Sequence, residues 1–437
     1  MWCRTGEAAN ALPPELRAKI VLSLPVLGCT LYHHDPDDSL SVGFGCGAAD
    51  MQKAADHIRS TAEKLGAAVA QGLCCQVAGG ILRYVTVGAP QHLLRVRHWT
   101  SEALEVYDRA VKEAWESMLE AALSADQVTL GSLPLRDGGA AFGLASHRAA
   151  AAYLSGWRRE LWSRSKGAPY YTDAALRRDL PALAGDLEAA RADILSRAPS
   201  LDGDSSLDFT KQPAKQLQKY LTQHVTDQVR AQLFTRLPVE QRAFVRQGGG
   251  PGAGGFLLVP LHGVCAMANG PWRMAFRRRL WLSAEQIVAP QVAGTHCLHS
   301  GRQGVCGAQL QGPRGVLHAV GCKTGGGIVA GHNELRDILW DFAKAHIDPK
   351  ALREQHLESL RAGILRTAEP DAAPGDVLDV VFNYNGRRVA IDVAVVGAEQ
   401  SEARTRAAAG INCYFAGREE RGKWRRYDGL SISPCIF

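Results

Sequence analysis

The apolar positions between residues 50 and 123 follow a helical pattern. They recur every three or four residues, as at Ala54, Ile58, Ala62 and Leu65, and this spacing lines one face of an amphipathic helix. The same spacing predicts further helices over 146–162, 174–196 and 210–237. The first half of the chain is therefore predicted to be a helical bundle.

The pattern changes in the last third of the chain. Its spacing predicts a helix over 332–345, strands over 377–382 and 388–396, and a second helix over 401–427. The two strand segments are joined through Asn385-Gly386, a pair that strongly favours a tight hairpin turn. Helix, hairpin and helix are typical of a small α+β domain.

Two segments between these halves have unusual composition. The glycine-rich tract Gly248–Gly255 predicts a flexible linker and a domain boundary. It is followed by a basic, amphipathic segment from Trp272 to Trp281. Clustered arginines on a helix suit nucleic-acid phosphates, so this segment is predicted to bind nucleic acid through Arg273, Arg277, Arg278 and Arg279.

Composition narrows the class of protein. A chain of 437 residues with 46% hydrophobic content can bury several cores, and a net charge of +6 permits nucleic acid as a partner without requiring it. No long apolar run or signal-peptide pattern is present, which predicts a soluble, intracellular protein, nuclear or cytoplasmic, without a membrane partner. Eleven scattered cysteines favour local metal binding over a disulfide framework.

One group of residues has the composition of a zinc site. It offers three thiolates and one imidazole, at Cys297, Cys306, His318 and Cys322, and this set satisfies tetrahedral Zn²⁺. The first two cysteines are further apart than in most zinc motifs, so His296 or His299 is an alternative ligand to Cys297. A loop with incidental Cys and His residues is the remaining interpretation.

Two aspartates interrupt the apolar strand segments. Asp379 and Asp392 each lie among valine, leucine, isoleucine and alanine, on strands that the hairpin brings side by side. Burying a carboxylate is costly unless it is paired or binds a cation, so the two predict a Mg²⁺ site. The alternative is that both are solvent-facing charges on an edge strand.

Hydrolysis of a phosphodiester also needs a cation that neutralises developing charge. Lys423 is the candidate, and it shares a helix face with Tyr427, four residues on. A solvated basic helix end is the alternative explanation of this segment.

Taken in order, these residues resemble the C-terminal region of early-branching non-LTR retrotransposon polyproteins, in which a Cys-Cys-His-Cys zinc knuckle precedes a restriction-like endonuclease. The matching residues are Cys306, His318, Cys322, Gly325-Gly326-Gly327, His332-Asn333, Asp379, Asp392, Lys423 and Tyr427. The resemblance implies that His332 and Asn333 belong to the nucleic-acid-binding surface. It leaves the third catalytic carboxylate open between Glu334 and Glu354.

The resemblance extends upstream. Val26-Leu27-Gly28 is similar to a block that follows the polymerase palm, and Leu93-Leu94-Arg95, Leu133–Gly139 and Ala152–Trp157 are similar to the thumb and connection. It implies a palm remnant (1–50), a helical thumb and connection (51–245), a linker with a basic helix (246–290), a knuckle (291–327) and a C-terminally incomplete endonuclease domain of the PD-(D/E)XK type (328–437). The expected fold class is therefore α+β and multi-domain.

The implied function is metal-dependent nicking of target DNA coupled to reverse transcription, with DNA and the element's RNA as partners and Zn²⁺ and Mg²⁺ as cofactors. The polymerase's catalytic aspartates have no counterpart, since Asp35-Pro36-Asp37-Asp38 lacks the apolar flanks of a palm hairpin and is predicted to be a loop. Gly331 and Leu378 replace an Arg and a Pro of the family pattern. The alternative function is a non-catalytic nucleic-acid-binding remnant.

Overall fold

We describe a computed structural model of the chain. The described residues are 23–26, 29–32, 48–163, 173–208, 214–250, 253–260, 266–283, 296–301, 304–312, 315, 318, 322, 324, 327–356, 377–394, 405, 407–410, 417–419, 421–422 and 435–436. Asp35–Asp38, Lys423 and Tyr427 lie outside them.

The chain forms two compact units. The first comprises Met1–Pro134, Gly139–Arg236 and Gly255–Phe276, and the second comprises Leu135–Gly138, Leu237–Gly254 and Arg277–Phe437. The division therefore crosses the predicted thumb region, because residues 135–138 and 237–254 belong to the C-terminal unit.

Among its described residues, the first unit contains helices and one antiparallel hairpin, β1 (Ser23–Val26) and β2 (Cys29–Tyr32). Its helices are α1 (Ala48–Ala70), α2 (Cys75–Gly88), α3 (Leu93–Val96), α4 (Ser101–Leu119), α5 (Ala125–Ser132), α6 (Ala149–Ser163), α7 (Asp173–Asp179), α8 (Pro181–Arg197), α9 (Leu217–Arg236) and the start of α11 (Asn269–Arg279). The predicted helical bundle is confirmed, with each predicted segment helical over most of its length.

Local sequence signals define where these helices begin. The Thr100 side chain accepts a hydrogen bond from the N–H of Ala103 and caps α4. Ser124 and Gln127 form a reciprocal capping box at the start of α5. Such caps satisfy backbone N–H groups that have no partner inside the helix.

Apolar packing stabilises the described part of this unit. In one cluster, the Trp115 ring stacks on Phe142 with centroids 4.6 Å apart and lies 5.3 Å from Phe276. In another, α6, α8 and α9 bury a set that includes Leu154, Leu187, Ile194, Leu201 and Leu221. Removing large apolar side chains of this kind from water is the main source of fold stability.

The second unit combines helices with a small sheet. It contains α10 (Val239–Gln247), the end of α11, β3 (Ser300–Gly301), β4 (Gly304–Val305), α12 (Gly327–His346), β5 (Leu352–His356), β6 (Val377–Tyr384), β7 (Arg387–Ile391), β8 (Val393–Ala394) and β9 (Cys435–Ile436). Strands β5, β6 and β7 form an antiparallel sheet in that order. The fold class is α+β, as predicted.

Helix α12 packs on this sheet. Its Ala343 joins a buried cluster with Ala351, Val380 and Phe382, and Leu339 and Trp340 pack against the same cluster. The predicted hairpin is present, with the turn at Asn385 (φ 50°) and Gly386 (φ 73°). Positive φ at both turn positions explains the Asn-Gly pair. Beyond the hairpin, β8 pairs in parallel with β9.

The glycine tract differs from the predicted flexible linker. The N–H of Gly250 donates to the carbonyl of Arg136 at 2.7 Å. A side chain at Gly249 would lie 2.8 Å from the same carbonyl oxygen. These glycines therefore allow a close backbone approach in a packed turn.

The predicted helix over 401–427 is also corrected. Thr405, Ala407 and Ala408 are helical, but Ala409 and Gly410 form a turn, which interrupts the predicted helix. Residues 417–419 and 421–422 are helical. The N–H of Gly410 donates to the carbonyl of Ala407, which tightens the last turn.

Among the described residues, no helix has both the length and the apolar character that crossing a membrane would demand.

Candidate functional site

The Cys/His cluster is built on a short hairpin. Strands β3 and β4 pair antiparallel between Cys297 and Cys306. The N–H of Cys297 donates to the carbonyl of Ala308, and the N–H of Gly307 donates back to the carbonyl of Cys297, at 2.7 and 3.0 Å. The paired strands lie within the eight residues that separate the two cysteines, and they return the second cysteine to the first. The long spacing is thereby explained.

The four predicted ligands converge. One sulfur or imidazole nitrogen from each of Cys297, Cys306, His318 and Cys322 lies within 4.8 Å of the other three. The two sulfurs of Cys297 and Cys322 are 3.6 Å apart, and Sγ of Cys306 is 3.2 Å from Nε2 of His318. Tetrahedral Zn²⁺ with Zn–S bonds of about 2.3 Å holds its ligand atoms about 3.5–3.8 Å apart. The cluster could therefore bind a metal such as zinc.

The alternative ligands His296 and His299 lie in the same hairpin but outside this group of four. His296 forms an isolated β-bridge with Gln309, and the carbonyl of His299 accepts the N–H of Cys306. Cys297 and Cys322 are 3% and 1% exposed. Both thiols belong to the converging group of four, whereas the two histidines do not.

The two strand aspartates lie opposite each other. The register pairs Val380 with Ile391, so Asp379 and Asp392 are the next opposed positions at the same end of the hairpin. Opposed residues in an antiparallel ladder project from the same face with Cβ atoms about 5 Å apart. Both are buried, at 6% and 7% exposure. The edge-strand alternative, which requires the two carboxylates to face water, is wrong.

The electrostatics of Asp379 reflect this burial. Its Oδ2 accepts the N–H of Val393 at 2.5 Å. Burial raises the pKa of Asp379 to about 6, helped by the charge and a hydrogen bond of Asp392, while the Val393 N–H and His332 act in the opposite direction. Two carboxylates in contact share a proton or a cation, because like charges this close cannot both be left unneutralised.

Helix α12 brings a third group to this pair. Nε2 of His332 is 3.4 Å from Oδ2 of Asp379, and its Nδ1 is 3.3 Å from Oδ1 of Asn333. The sequence placed His332 and Asn333 on a nucleic-acid surface. In the structure His332 also contacts a buried carboxylate, a relationship between a helix and a strand that no local pattern signals.

The candidates for a third carboxylate differ in their surroundings. Glu334 is exposed on α12. Glu354 occupies the β5 position opposite Asp379, between the pairs Arg353–Val380 and Gln355–Leu378. Its backbone has a φ of 54°, which is unusual for a non-glycine residue. Its side chain is ion-paired with Arg336, one helical turn after His332.

Three of the predicted phosphate-binding arginines have partners inside their own unit. Arg273 pairs with Glu120 at 2.9 Å and donates to the carbonyl of Met118. Arg279 is 8% exposed and donates to the carbonyls of Gly248 and Leu135. The guanidinium of Arg278 lies over the Phe244 ring.

Burial changes the electrostatics of two of these side chains. It lowers the pKa of Arg279 to about 10 and also lowers that of Arg278. The arginines of the basic segment therefore contribute to packing as well as charge, and their binding of nucleic acid stays a prediction. Arg277, the fourth residue, is half-buried.

The predicted cation Lys423 and its neighbour Tyr427 lie outside the described residues. Arg421 and Gly422, just before them, are helical and exposed.

A scan of protein-family models matches no family, and a search of curated proteins finds no match. The retrotransposon resemblance therefore stays a prediction. Sequence reasoning also missed the Arg336–Glu354 pair, whose only signal was the four-residue spacing of Arg336 from His332 on one helix.

Proposed function

We propose that this chain is a nucleic-acid-binding protein of retrotransposon origin that nicks DNA through a divalent-metal site at Asp379 and Asp392. The observation that carries the proposal is the contact of two buried carboxylates, one on β6 and one directly after β7, with His332 beside the first. Buried carboxylate pairs are a common way to hold Mg²⁺, which prefers oxygen ligands.

Each residue has a distinct role in this proposal. Asp379 and Asp392 would hold the ion, which when bound polarises the phosphate and lowers the pKa of a water molecule. The Val393 N–H fixes one oxygen of Asp379, leaving its other oxygen for the ion. His332 orients the same carboxylate. Lys423 is proposed to neutralise charge that develops on the scissile phosphate.

The Cys/His cluster would support this activity structurally. Metal held by Cys297, Cys306, His318 and Cys322 ties the hairpin to the segment that leads into α12. Structural zinc sites order segments that have too little apolar surface to fold alone. In the described part of the chain, this cluster is followed directly by the helix that carries His332.

Nicking of supercoiled plasmid in Mg²⁺ or Mn²⁺ tests the proposal. Asp379→Asn and Asp392→Asn should each abolish nicking and leave DNA affinity within about threefold, because they remove metal ligands that do not contact DNA directly. Asp341→Asn is the matched control, since Asp341 is an exposed carboxylate on α12, and it should nick like the wild type.

Zinc content and a thermal melt must be measured on the same samples. A folded, zinc-loaded wild-type chain that binds DNA and does not nick it would contradict the nuclease proposal. That result would favour the alternative, a nucleic-acid-binding protein without catalysis, because binding nucleic acid does not require the carboxylate pair.

A further inference from the structure

The first unit contains a cavity that the proposed nuclease does not use. It has a volume of about 350 Å³ and lies where α3, α6 and α9 meet. Small-ligand sites are typically clefts of about 300–1,000 Å³. The residues that form its polar and aromatic lining are His92, Arg95, Ser155, Trp157, Arg159 and Gln218.

The charge of this lining has one sign. Arg95 and Arg159 are exposed guanidinium groups, and His92 adds an imidazole. None of the described residues that line the cavity is acidic. Guanidinium groups hold phosphate oxygens with paired hydrogen bonds. The ligand that suits this lining is therefore an anion, and a phosphate in particular.

The cavity is also preorganised. Nη2 of Arg95 donates to Oε1 of Gln218 at 3.1 Å, which holds the guanidinium at the cavity. The main chain of α3 passes close to Gly156, since a Cβ there would lie 3.4 Å from the carbonyl oxygen of Arg95. A side chain held in place loses less entropy on binding than a free one.

Trp157 gives the cavity an aromatic wall. Its ring packs against the core of α6, α8 and α9, and it meets Tyr153 edge to face with centroids 6.4 Å apart. An indole fixed beside two guanidinium groups suits a ligand that has both a planar ring and a phosphate. Bases stack on such aromatic side chains in single-strand-binding proteins.

A second cavity adjoins the first. It has a volume of about 360 Å³ and shares His92 with the first cavity, and Lys53 and His57 add basic groups to it. Its carboxylate, Asp50, is buried and lies 3.4 Å from Nζ of Lys53. Two neighbouring cavities that share one residue suit a ligand that continues from one to the next.

From this arrangement we infer that the first unit binds a nucleotide of a single-stranded nucleic acid, with its phosphate between Arg95 and Arg159 and its base against Trp157. The inference rests on the nucleic-acid binding of the proposed function and names a site for it. It does not depend on nicking, which is assigned to other residues in the other unit, so binding and nicking can fail separately. The segments Leu93-Leu94-Arg95 and Ala152–Trp157 have no role in the proposed nuclease. In this inference, residues from both segments line the nucleotide site.

Fluorescence anisotropy with a labelled 12-nucleotide oligo(dT), without added divalent metal, tests the inference. Arg95→Gln with Arg159→Gln should weaken binding at least tenfold and reduce the slope of log affinity against log salt by about 0.7 for each phosphate that is no longer neutralised. Trp157→Phe should weaken binding about threefold or more. Arg109→Gln, an exposed arginine on α4, should bind like the wild type.

Competition separates the two possible sources of the nucleotide. If dTMP displaces oligo(dT) at a comparable concentration, and the Arg double variant loses affinity for both, the cavity binds a free nucleotide and not a strand. Displacement by inorganic phosphate alone would overturn the role of Trp157.

A double variant that keeps its thermal melt and its oligo(dT) affinity would overturn the inference. Should that variant unfold, Trp157→Phe and the double variant Arg95→Lys with Arg159→Lys decide the matter. Wild-type affinity in Trp157→Phe would contradict the site. A loss of affinity in Trp157→Phe, with an unchanged salt slope in the Lys variant, would support it.

Discussion

Nε2 of His332 lies 3.4 Å from Oδ2 of Asp379. Helix α12 and strand β6 therefore meet at a buried carboxylate whose other neighbour is Asp392. This arrangement joins three groups that the sequence separates, and it places an ionisable imidazole beside a carboxylate pair. The metal-free protein should consequently respond to pH through this site.

The pH response has a defined sign. The folded-state pKa of Asp379 is raised to about 6 from its ordinary value of 3.8, so folding favours the protonated carboxyl. Its contribution to stability is greatest at low pH and is lost as the pH rises through about 4 to 6. Asp379→Asn, which keeps the Val393 hydrogen bond, should then be more stable than the wild type at pH 7.5 by about 1–2 kcal/mol.

Urea denaturation at pH 5 and pH 7.5 measures this difference, which should shrink toward pH 5. His332 and Asp392 are the titratable groups that face Asp379, so His332→Gln serves as the second variant. Equal free energies of unfolding for Asp379→Asn and the wild type at pH 7.5 would show that burial does not destabilise the charged form of this carboxyl.

Zinc content tests the Cys/His cluster. The purified protein should hold about one Zn²⁺ per chain, and Cys322→Ser should lose it, because three ligands no longer complete a tetrahedron. His299→Ala should keep zinc, since His299 lies outside the ligand group. Cys74→Ser is the control cysteine. Zinc retained in Cys297→Ser would implicate His296 or His299 as a ligand.

Arg279 should matter for stability more than for DNA binding. Arg279→Ala leaves the carbonyls of Gly248 and Leu135 without their donor, and this should cost about 2–3 kcal/mol of unfolding free energy. A thermal melt should show a fall of several degrees, with Arg109→Gln unchanged. An unaltered melt together with a large loss of DNA affinity would restore Arg279 to the phosphate-binding set.

Lys423 is predicted to contribute to catalysis alone. Lys423→Ala should slow nicking by about 10²–10³-fold, as expected for removing one preorganised charge, and leave zinc content and DNA affinity unchanged. Arg421→Ala, an exposed charge two residues before it, is the matched control. Equal effects of the two substitutions would mean that the segment acts only as a basic surface.

The sequence alone determined much of this protein. Helical spacing predicted the bundle of the first unit and helix α12, and Asn385-Gly386 predicted the hairpin that opposes Asp379 to Asp392. The ligand set Cys297, Cys306, His318 and Cys322 was also visible, because residue type limits which metals a site can hold. These features depend on local periodicity, turn geometry and ligand chemistry, which short stretches of sequence carry.

Only the tertiary structure decided which groups meet. It brought His332 to Asp379, paired Arg336 with Glu354 and directed the Arg279 guanidinium to the carbonyl of Gly248. It also placed Arg95, Trp157 and Gln218 around one cavity. Each of these relationships joins segments that are distant in sequence, and a period of 3.6 or 2 residues describes only one helix or strand at a time. An arginine-rich helix has the same sequence pattern whether its guanidinium groups face solvent or backbone carbonyls. The elements that pack around the helix determine which of the two occurs.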